Sequence, residues 1–156
     1  MPKLKEGMKA PEFKLTGSKD KPVSLQDFKN KQRVILYFYP KDDTPGCTVE
    51  ACQFRDFNKK VEAENAVVLG VSPDGIKSHN QFIEKFKLPF VLLADEDKAV
   101  CKKYGVWVKK SMYGREYMGV ARTTFVIGKN GLIEKIYEKV KPDGHAGDVL
   151  TFLKEN

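Results

Sequence analysis

Hydrophobic residues along this chain fall into short continuous runs, set between segments whose apolar positions recur with a helical period. The run Val34-Ile35-Leu36-Tyr37-Phe38-Tyr39 is β-branched, aromatic or aliphatic throughout and carries no charge, as expected of a strand buried on both faces. Pro40 ends it, and Lys41 to Gly46 are loop formers that include Pro45. From Cys47 the period changes. At 100° per residue Cys47, Ala51, Phe54, Asn58 and Val61 lie within about a third of a turn, with Phe57 at the edge. The order is therefore buried strand, turn, helix, with Cys47 in the first helical turn.

The rest of the chain continues the alternation. Gly7 to Leu15 reads as a turn and short strand, Gly17 to Pro22 as a turn, and Ser24 as the N-cap of a short helix through Phe28. Ala66 to Val71 is a second buried strand. Ser72-Pro73-Asp74-Gly75 closes it and opens a helix with Ile76, Phe82, Ile83 and Phe86 on its apolar side. Val91 to Leu93 is a short strand. Asp95-Glu96-Asp97 makes an acidic start favoured by the helix dipole, for a short helix with Ala99, Val100 and Tyr104 that contains Cys101. Val106 to Met118 reads as a loop with strand-like ends. Arg122 to Ile127 is a strand, Asn130-Gly131 a hairpin turn, Leu132 to Glu138 the partner strand, and Ala146 to Leu153 the last helix. Strands alternating with helices, plus one late hairpin, predict an α/β fold with a central mixed β-sheet flanked by helices. No repeat, linker or low-complexity tract divides residues 1–156, so one domain is expected.

Composition narrows the function. Hydrophobic residues make up 41% and charged residues 31%, an ordinary balance for a soluble chain. No apolar run approaches the ~18 residues that a membrane span needs. The N-terminal Met1-Pro2-Lys3-Leu4-Lys5 has no apolar stretch of the kind a secretory signal carries. Three cysteines in such a chain suggest a reducing compartment, the cytoplasm, and thiol chemistry rather than structural disulfides. Lys plus Arg number 28 against 21 Asp plus Glu, a net +7. The lysines are scattered in ones and twos, with no basic helix and no nucleic-acid motif, so the charge reads as a solvated surface and not as a nucleic-acid site.

Candidate chemistry centres on Cys47. The first N–H groups of a helix lack intrahelical partners and carry partial positive charge, which stabilises a thiolate, the nucleophilic form of cysteine. A small buried apolar residue is the competing reading of a lone cysteine. Thr44, three residues earlier, places a hydroxyl at the turn. Cys52 lies five residues on; in an intact helix their Cα atoms would be roughly 9 Å apart, beyond the ~7 Å limit for a disulfide. The chain has no Cys-x-x-Cys pair, which argues against a dithiol exchanger of the thioredoxin type.

Pro40-x-x-x-Thr44-x-x-Cys47 resembles the active-site signature of peroxiredoxins. The longer string Asp43-Thr44-Pro45-Gly46-Cys47-Thr48-x-Glu50-Ala51-Cys52 is similar to the bacterioferritin comigratory protein, or peroxiredoxin Q, subfamily, and Gly7-x-x-Ala10-Pro11-x-Phe13-x-Leu15 to the opening of the family. The resemblance runs from Gly7 to the last hairpin and implies a thioredoxin-like fold. It also implies a peroxidatic Cys47, a resolving Cys52, and a peroxide held by Pro40, Thr44, Gly46, Cys47 and Arg122. Arg122, in Gly119-Val120-Ala121-Arg122-Thr123-Thr124-Phe125, matches the arginine that peroxiredoxins set beside the sulfur; taken alone it would read as a surface ion-pair partner. The implied reaction is reduction of hydrogen peroxide and organic hydroperoxides through a Cys47 sulfenic acid and a Cys47–Cys52 disulfide. Thioredoxin or a similar dithiol would recycle the disulfide, with no metal or organic cofactor and with the protein a monomer or weak homodimer.

Three features stand outside that pattern. Family hairpins often carry Asp where this chain has Gly128. His79 and His145 form no metal-ligand spacing with the cysteines. Cys101 reads as a packing residue. The competing function is a thiol redox sensor, which would oxidise once and stop.

Overall fold

The computed structural model describes residues 3–156, so Met1 and Pro2 of the N-terminal stretch lie outside the described residues. Nine strands and four α-helices are formed in these, besides short 3-10 turns at Ser18–Asp20 and Leu25–Phe28: β1 (Lys14–Gly17), β2 (Lys21–Ser24), β3 (Arg33–Phe38), α1 (Pro45–Ala63), β4 (Ala66–Ser72), α2 (Ile76–Phe86), β5 (Val91–Ala94), α3 (Ala99–Lys103), β6 (Trp107–Met112), β7 (Arg115–Val120), β8 (Thr123–Ile127), β9 (Ile133–Tyr137) and α4 (Pro142–Glu155). Seven strands make one mixed sheet in the order β2-β1-β5-β4-β3-β8-β9. β3 runs parallel to β4 and antiparallel to β8, and β4 runs parallel to β5. The thioredoxin-like α/β expectation is met.

The buried runs seen in the sequence occupy the middle of this sheet. Alternate residues of a strand face opposite sides, so the chain can bury both faces of β3. Ile35, Tyr37 and Tyr39 enter a core with Phe54, Val61, Phe82, Val149 and Leu153 from α1, α2 and α4. Val34, Leu36 and Phe38 enter the other core, with Val100, Cys101, Tyr104, Phe125 and Ile133. A strand with two apolar faces between two cores is a rigid platform, and its C-terminal end delivers the chain to the Pro40–Thr44 turn.

Three elements differ from the sequence reading. Val106 to Met118 is not a loop: β6 and β7 form an antiparallel hairpin separate from the main sheet. Its two-residue turn, Tyr113-Gly114, has φ of 52° and 77°, both positive as a tight hairpin turn requires. Lys21 and Pro22 belong to β2, an edge strand paired antiparallel with β1; an edge is where a sheet tolerates proline. The last helix begins earlier, at Pro142, but Asp143 and Gly144 depart from helical angles, so a kink precedes the regular part. The Ser24 cap is present: Asp27 accepts from both the Ser24 N–H and its hydroxyl, at 3.0 and 3.1 Å. Gly128 also acquires a reason. A Cβ there would meet Glu134 Oε2 at 2.7 Å and Asn130 Oδ1 at 2.9 Å, so the glycine makes room for two side chains at the β8–β9 turn. Among the described residues no helix is long and apolar enough to cross a membrane.

Candidate active site

Thr44 is the N-cap of α1, with Pro45 at the first helical position, where its missing N–H costs nothing. The first amide to bond back is that of Thr48, which donates to the Thr44 carbonyl at 2.8 Å. The N–H groups of Gly46 and Cys47 precede it, at the positive end of a 19-residue helix. Cys47 sits there as a free thiol, 1% exposed.

Arg122 reaches the sulfur from the opposite side. Thr123 pairs with Phe38 at the end of β3, so Arg122, one residue earlier, stands where β3 gives way to the cysteine turn. Its backbone is pinned by Val140, whose N–H donates to the Arg122 carbonyl at 3.0 Å. The side chain then donates twice, from Nη2 to Cys47 Sγ at 3.4 Å and from Nη1 to Glu50 Oε1 at 2.9 Å. Burial by itself would lower the Arg122 pKa; attraction to Cys47 and Glu50 outweighs it and holds the pKa above the usual arginine value. Gly46 fits under this guanidinium. A Cβ on it would lie 3.2 Å from Arg122 Nη2 and 3.4 Å from Pro142 Cγ.

Glu50 enters the sequence reading only as part of the matched string, with no contact assigned, yet it is tied to Arg122. It is 0% exposed, one turn along α1 from Cys47. Burial raises its pKa to about 7, against the opposing pull of Arg122. A carboxylate inside the buried stripe of α1 was the available signal, because charged residues are almost never fully buried unless paired.

The remaining predicted residues are near the sulfur by sequence, with varied contacts. The Thr44 hydroxyl donates to the Lys41 carbonyl at 2.9 Å, which leaves its lone pairs free to accept. Pro40 is half-buried at the head of the turn, and Cys52 is half-buried on α1, which is continuous through both cysteines. No disulfide joins them. Cys101 is fully buried in the core on the far face of the sheet, where burial, then the Asp95 carboxylate, raises its pKa well above that of an ordinary thiol.

Two histidines support the site without touching the sulfur. His79 Nδ1 lies 2.7 Å from Asp42 Oδ2, and its Nε2 lies 2.9 Å from the Leu93 carbonyl oxygen. Asp42 also accepts from Tyr39 and Ser78 hydroxyls at 2.5 and 2.8 Å, while its N–H donates to Asp74 at 2.8 Å. This network clamps the turn that leads to Cys47. Asp42, Asp74 and His79 each bring a ligand-type atom within 4.8 Å of the others, but these atoms are engaged with one another and with Ser72, Ser78 and Leu93. His145, at the start of α4, contacts the Thr124 hydroxyl through Nε2 at 2.8 Å. Burial lowers its pKa to about 4; Asp148 opposes the shift and Arg122 adds to it.

The His145 shift carries a pH consequence. The unfolded chain takes up a proton near pH 6.5, whereas the folded chain resists until about 4. Stability from this residue is full above 6.5 and is lost as pH falls through that window. The loss by pH 4 is on the order of 3 kcal/mol. Urea unfolding at pH 7 and pH 4.5 is expected to show a smaller difference in His145→Gln than in the parent; an equal difference would remove His145 as the source.

Residues 7–136 match the AhpC/TSA family. The chain is 50% identical over 147 residues to the putative peroxiredoxin bcp of Coxiella burnetii, covering 94% of this chain and 97% of that protein. It is 46% identical over 149 residues to peroxiredoxin Bcp of Bacillus subtilis, covering 96% and 94%. Among solved structures it superposes on Xylella fastidiosa PrxQ with a TM-score of 0.93 at 37% identity, over 99% of this chain and 98% of that one. Peroxiredoxin Q of Xanthomonas campestris gives 0.88 at 37% identity, over 92% and 90%. A thiol at a helix start under an arginine, in a thioredoxin-like sheet, with likeness of this extent, makes the chain a member of the AhpC/TSA family and a peroxiredoxin of the bacterioferritin comigratory protein, or peroxiredoxin Q, group.

Proposed function

We propose that residues 1–156 act as one domain that reduces peroxides at Cys47 and is recycled through Cys52. The observation that carries this reading is Arg122 Nη2, 3.4 Å from Cys47 Sγ, with the same guanidinium anchored on buried Glu50. A permanent planar cation held at that distance favours the thiolate and can donate to a peroxide oxygen. The N–H groups of Gly46 and Cys47 supply further donors, the Thr44 hydroxyl accepts from the peroxide O–H, and Pro40 walls the site. The Cys47 thiolate attacks one oxygen of the hydroperoxide. The S–O bond forms as the O–O bond breaks, the thiolate is oxidised to a sulfenic acid, and the departing alkoxide or hydroxide takes a proton and leaves as alcohol or water. The Cys52 thiol then condenses with the sulfenic acid, releasing water and forming the disulfide. A dithiol protein of the thioredoxin kind reduces it, becoming a disulfide itself.

Substrates in this proposal are hydrogen peroxide and organic hydroperoxides. Support for the second comes from the Xanthomonas campestris bacterioferritin comigratory protein, described for alkyl peroxide reduction, which superposes with a TM-score of 0.87 at 36% identity. We place the protein in the cytoplasm as a monomer, or at most a weak homodimer. The test is sustained consumption of peroxide with a thioredoxin system. A thiol sensor would consume one equivalent and stop.

Arg122→Ala is expected to slow the attack on peroxide about 10²–10³-fold, the usual cost of one preorganised donor to developing negative charge. Stopped-flow oxidation of Cys47 measures it, and an unchanged rate would take Arg122 out of the site. Cys101→Ser is expected to leave turnover unaltered and to cost ~1 kcal/mol for a hydroxyl in an apolar place. Loss of dithiol-linked turnover would instead make Cys101 a resolving thiol.

A further inference from the structure

Glu50 does more than anchor an arginine. One guanidinium faces two acids, Cys47 at 3.4 Å and Glu50 at 2.9 Å, and both acids are shut away from water. Were both ionised, two buried negative charges would face the one positive charge of half-buried Arg122. An uncompensated buried charge is far more costly than a paired one. The hydrogen-bond inventory points the same way. Glu50 Oε2 and the Tyr37 hydroxyl are the two buried side-chain polar atoms without a partner among the described residues. An ionised carboxylate would leave Oε2 bare inside the protein, whereas a neutral carboxyl can carry the proton there.

We propose that Cys47 and Glu50 share the single positive charge of Arg122, so that the reactive thiolate forms together with a neutral, protonated Glu50. The proposal rests on Cys47 being the reacting thiol. Ionisation of either acid then opposes ionisation of the other. The proton that leaves Cys47 goes to solvent, and Glu50 keeps its own on Oε2. Glu50 is a positioning residue that acts through Arg122, setting how much of the guanidinium field the sulfur receives.

Further titratable groups face the site, and among the described residues none of them besides Arg122 forms an ion pair with Glu50. From β3 comes Tyr37, whose phenol is kept neutral by burial. From α4 comes His145, kept neutral by burial down to a pH of about 4. From the β6–β7 hairpin comes Lys110, which feels Arg122 and Cys47; burial first, and Arg122 next, depress its pKa. Its ammonium forms no ion pair with Glu50, which among the described residues pairs with Arg122 alone. The position of the Glu50 titration, about 7, places the exchange in the physiological range. The pair should therefore titrate as a coupled system.

The experiment needs no peroxide, so its result is separable from the peroxidase reading. Thiolate absorbance in the ultraviolet is followed against pH in the reduced protein and in Glu50→Gln. Glutamine keeps an acceptor for Arg122 but is neutral at every pH. The thiolate is expected to appear about one pH unit lower in the variant, a tenfold larger thiolate ratio at fixed pH. Reciprocally, the infrared band of the protonated carboxyl that persists near neutral pH should disappear at lower pH in Cys47→Ser, because Glu50 then has the guanidinium to itself. A residue that only orients Arg122 would move neither curve. Coincident thiolate curves for parent and Glu50→Gln would overturn the proposal. So would an unshifted carboxyl band in Cys47→Ser, a measurement that stands even if Glu50→Gln fails to fold.

Discussion

Replacing Cys47 by serine is expected to reduce peroxide turnover to background, a loss of about 10⁴-fold or more, as when a catalytic nucleophile is removed. The sulfur sits at the start of α1 under the guanidinium of Arg122, and a hydroxyl in the same place remains protonated at neutral pH and does not attack an O–O bond. Nothing else can take over. Cys101 is sealed in the core on the other face of the sheet, and Cys52 lies further along the same helix, off the helix start. The fold should survive, because one atom changes at a position whose neighbours are polar and charged on one side. Circular dichroism and thermal unfolding check that point; appreciable residual turnover in a folded variant would show the nucleophile assignment to be wrong.

The second large effect belongs to Cys52. With α1 unbroken from Pro45 to Ala63, Cys47 and Cys52 are roughly 9 Å apart at Cα, and the disulfide requires less than ~7 Å. The first helical turns must unwind for the bond to close. Besides the core packing of Ala51 and Phe54, they are tied by Arg122, which donates to Cys47 at 3.4 Å and to Glu50 at 2.9 Å, and by Gln53, which donates to Asp143 Oδ1 at 2.7 Å and accepts from the Gly144 N–H at 2.8 Å. Both Gln53 contacts are to the kinked start of α4 and are exposed, so they open at low cost. Amide exchange across residues 44–54 should be faster in the oxidised protein than in the reduced one. Cys52→Ser should abolish that difference and stop dithiol-driven turnover after one equivalent of peroxide, with sulfenic acid trapped on Cys47. Continued turnover in Cys52→Ser, with a dimer on a non-reducing gel, would point to resolution between two chains.

Legibility in the sequence followed burial. β3 and β4 could be read because both their faces are covered, which leaves a continuous apolar run. α1 could be read because its stripe keeps a helical period against the sheet. The β6–β7 hairpin could not: most of its residues are exposed on both sides, so no period of two appears, and Tyr113 is an unusual residue for a turn with positive φ. β2 was hidden by Pro22, which sits at the sheet edge. In the site, Cys47, Thr44 and Arg122 were legible through the resemblance of their spacing to peroxiredoxins. The Glu50 link to Arg122 was not, since it joins residues 72 apart and depends on how β8 is laid beside β3. The His79–Asp42 clamp escaped for the same reason, being assembled from α2, β5 and the cysteine turn.

The central claim is that peroxide oxidises Cys47 and that Cys52 captures the product in the same chain. Both cysteines fall on one tryptic peptide, Asp42 to Arg55, with no Lys or Arg between them. Mass spectrometry of protein treated with one equivalent of peroxide and then alkylated should find this peptide unalkylated and lighter by two hydrogens, not joined to a second peptide, with Cys101 carrying the alkyl group. A peptide alkylated at both Cys47 and Cys52, or oxidation found on Cys101 instead, would contradict the account.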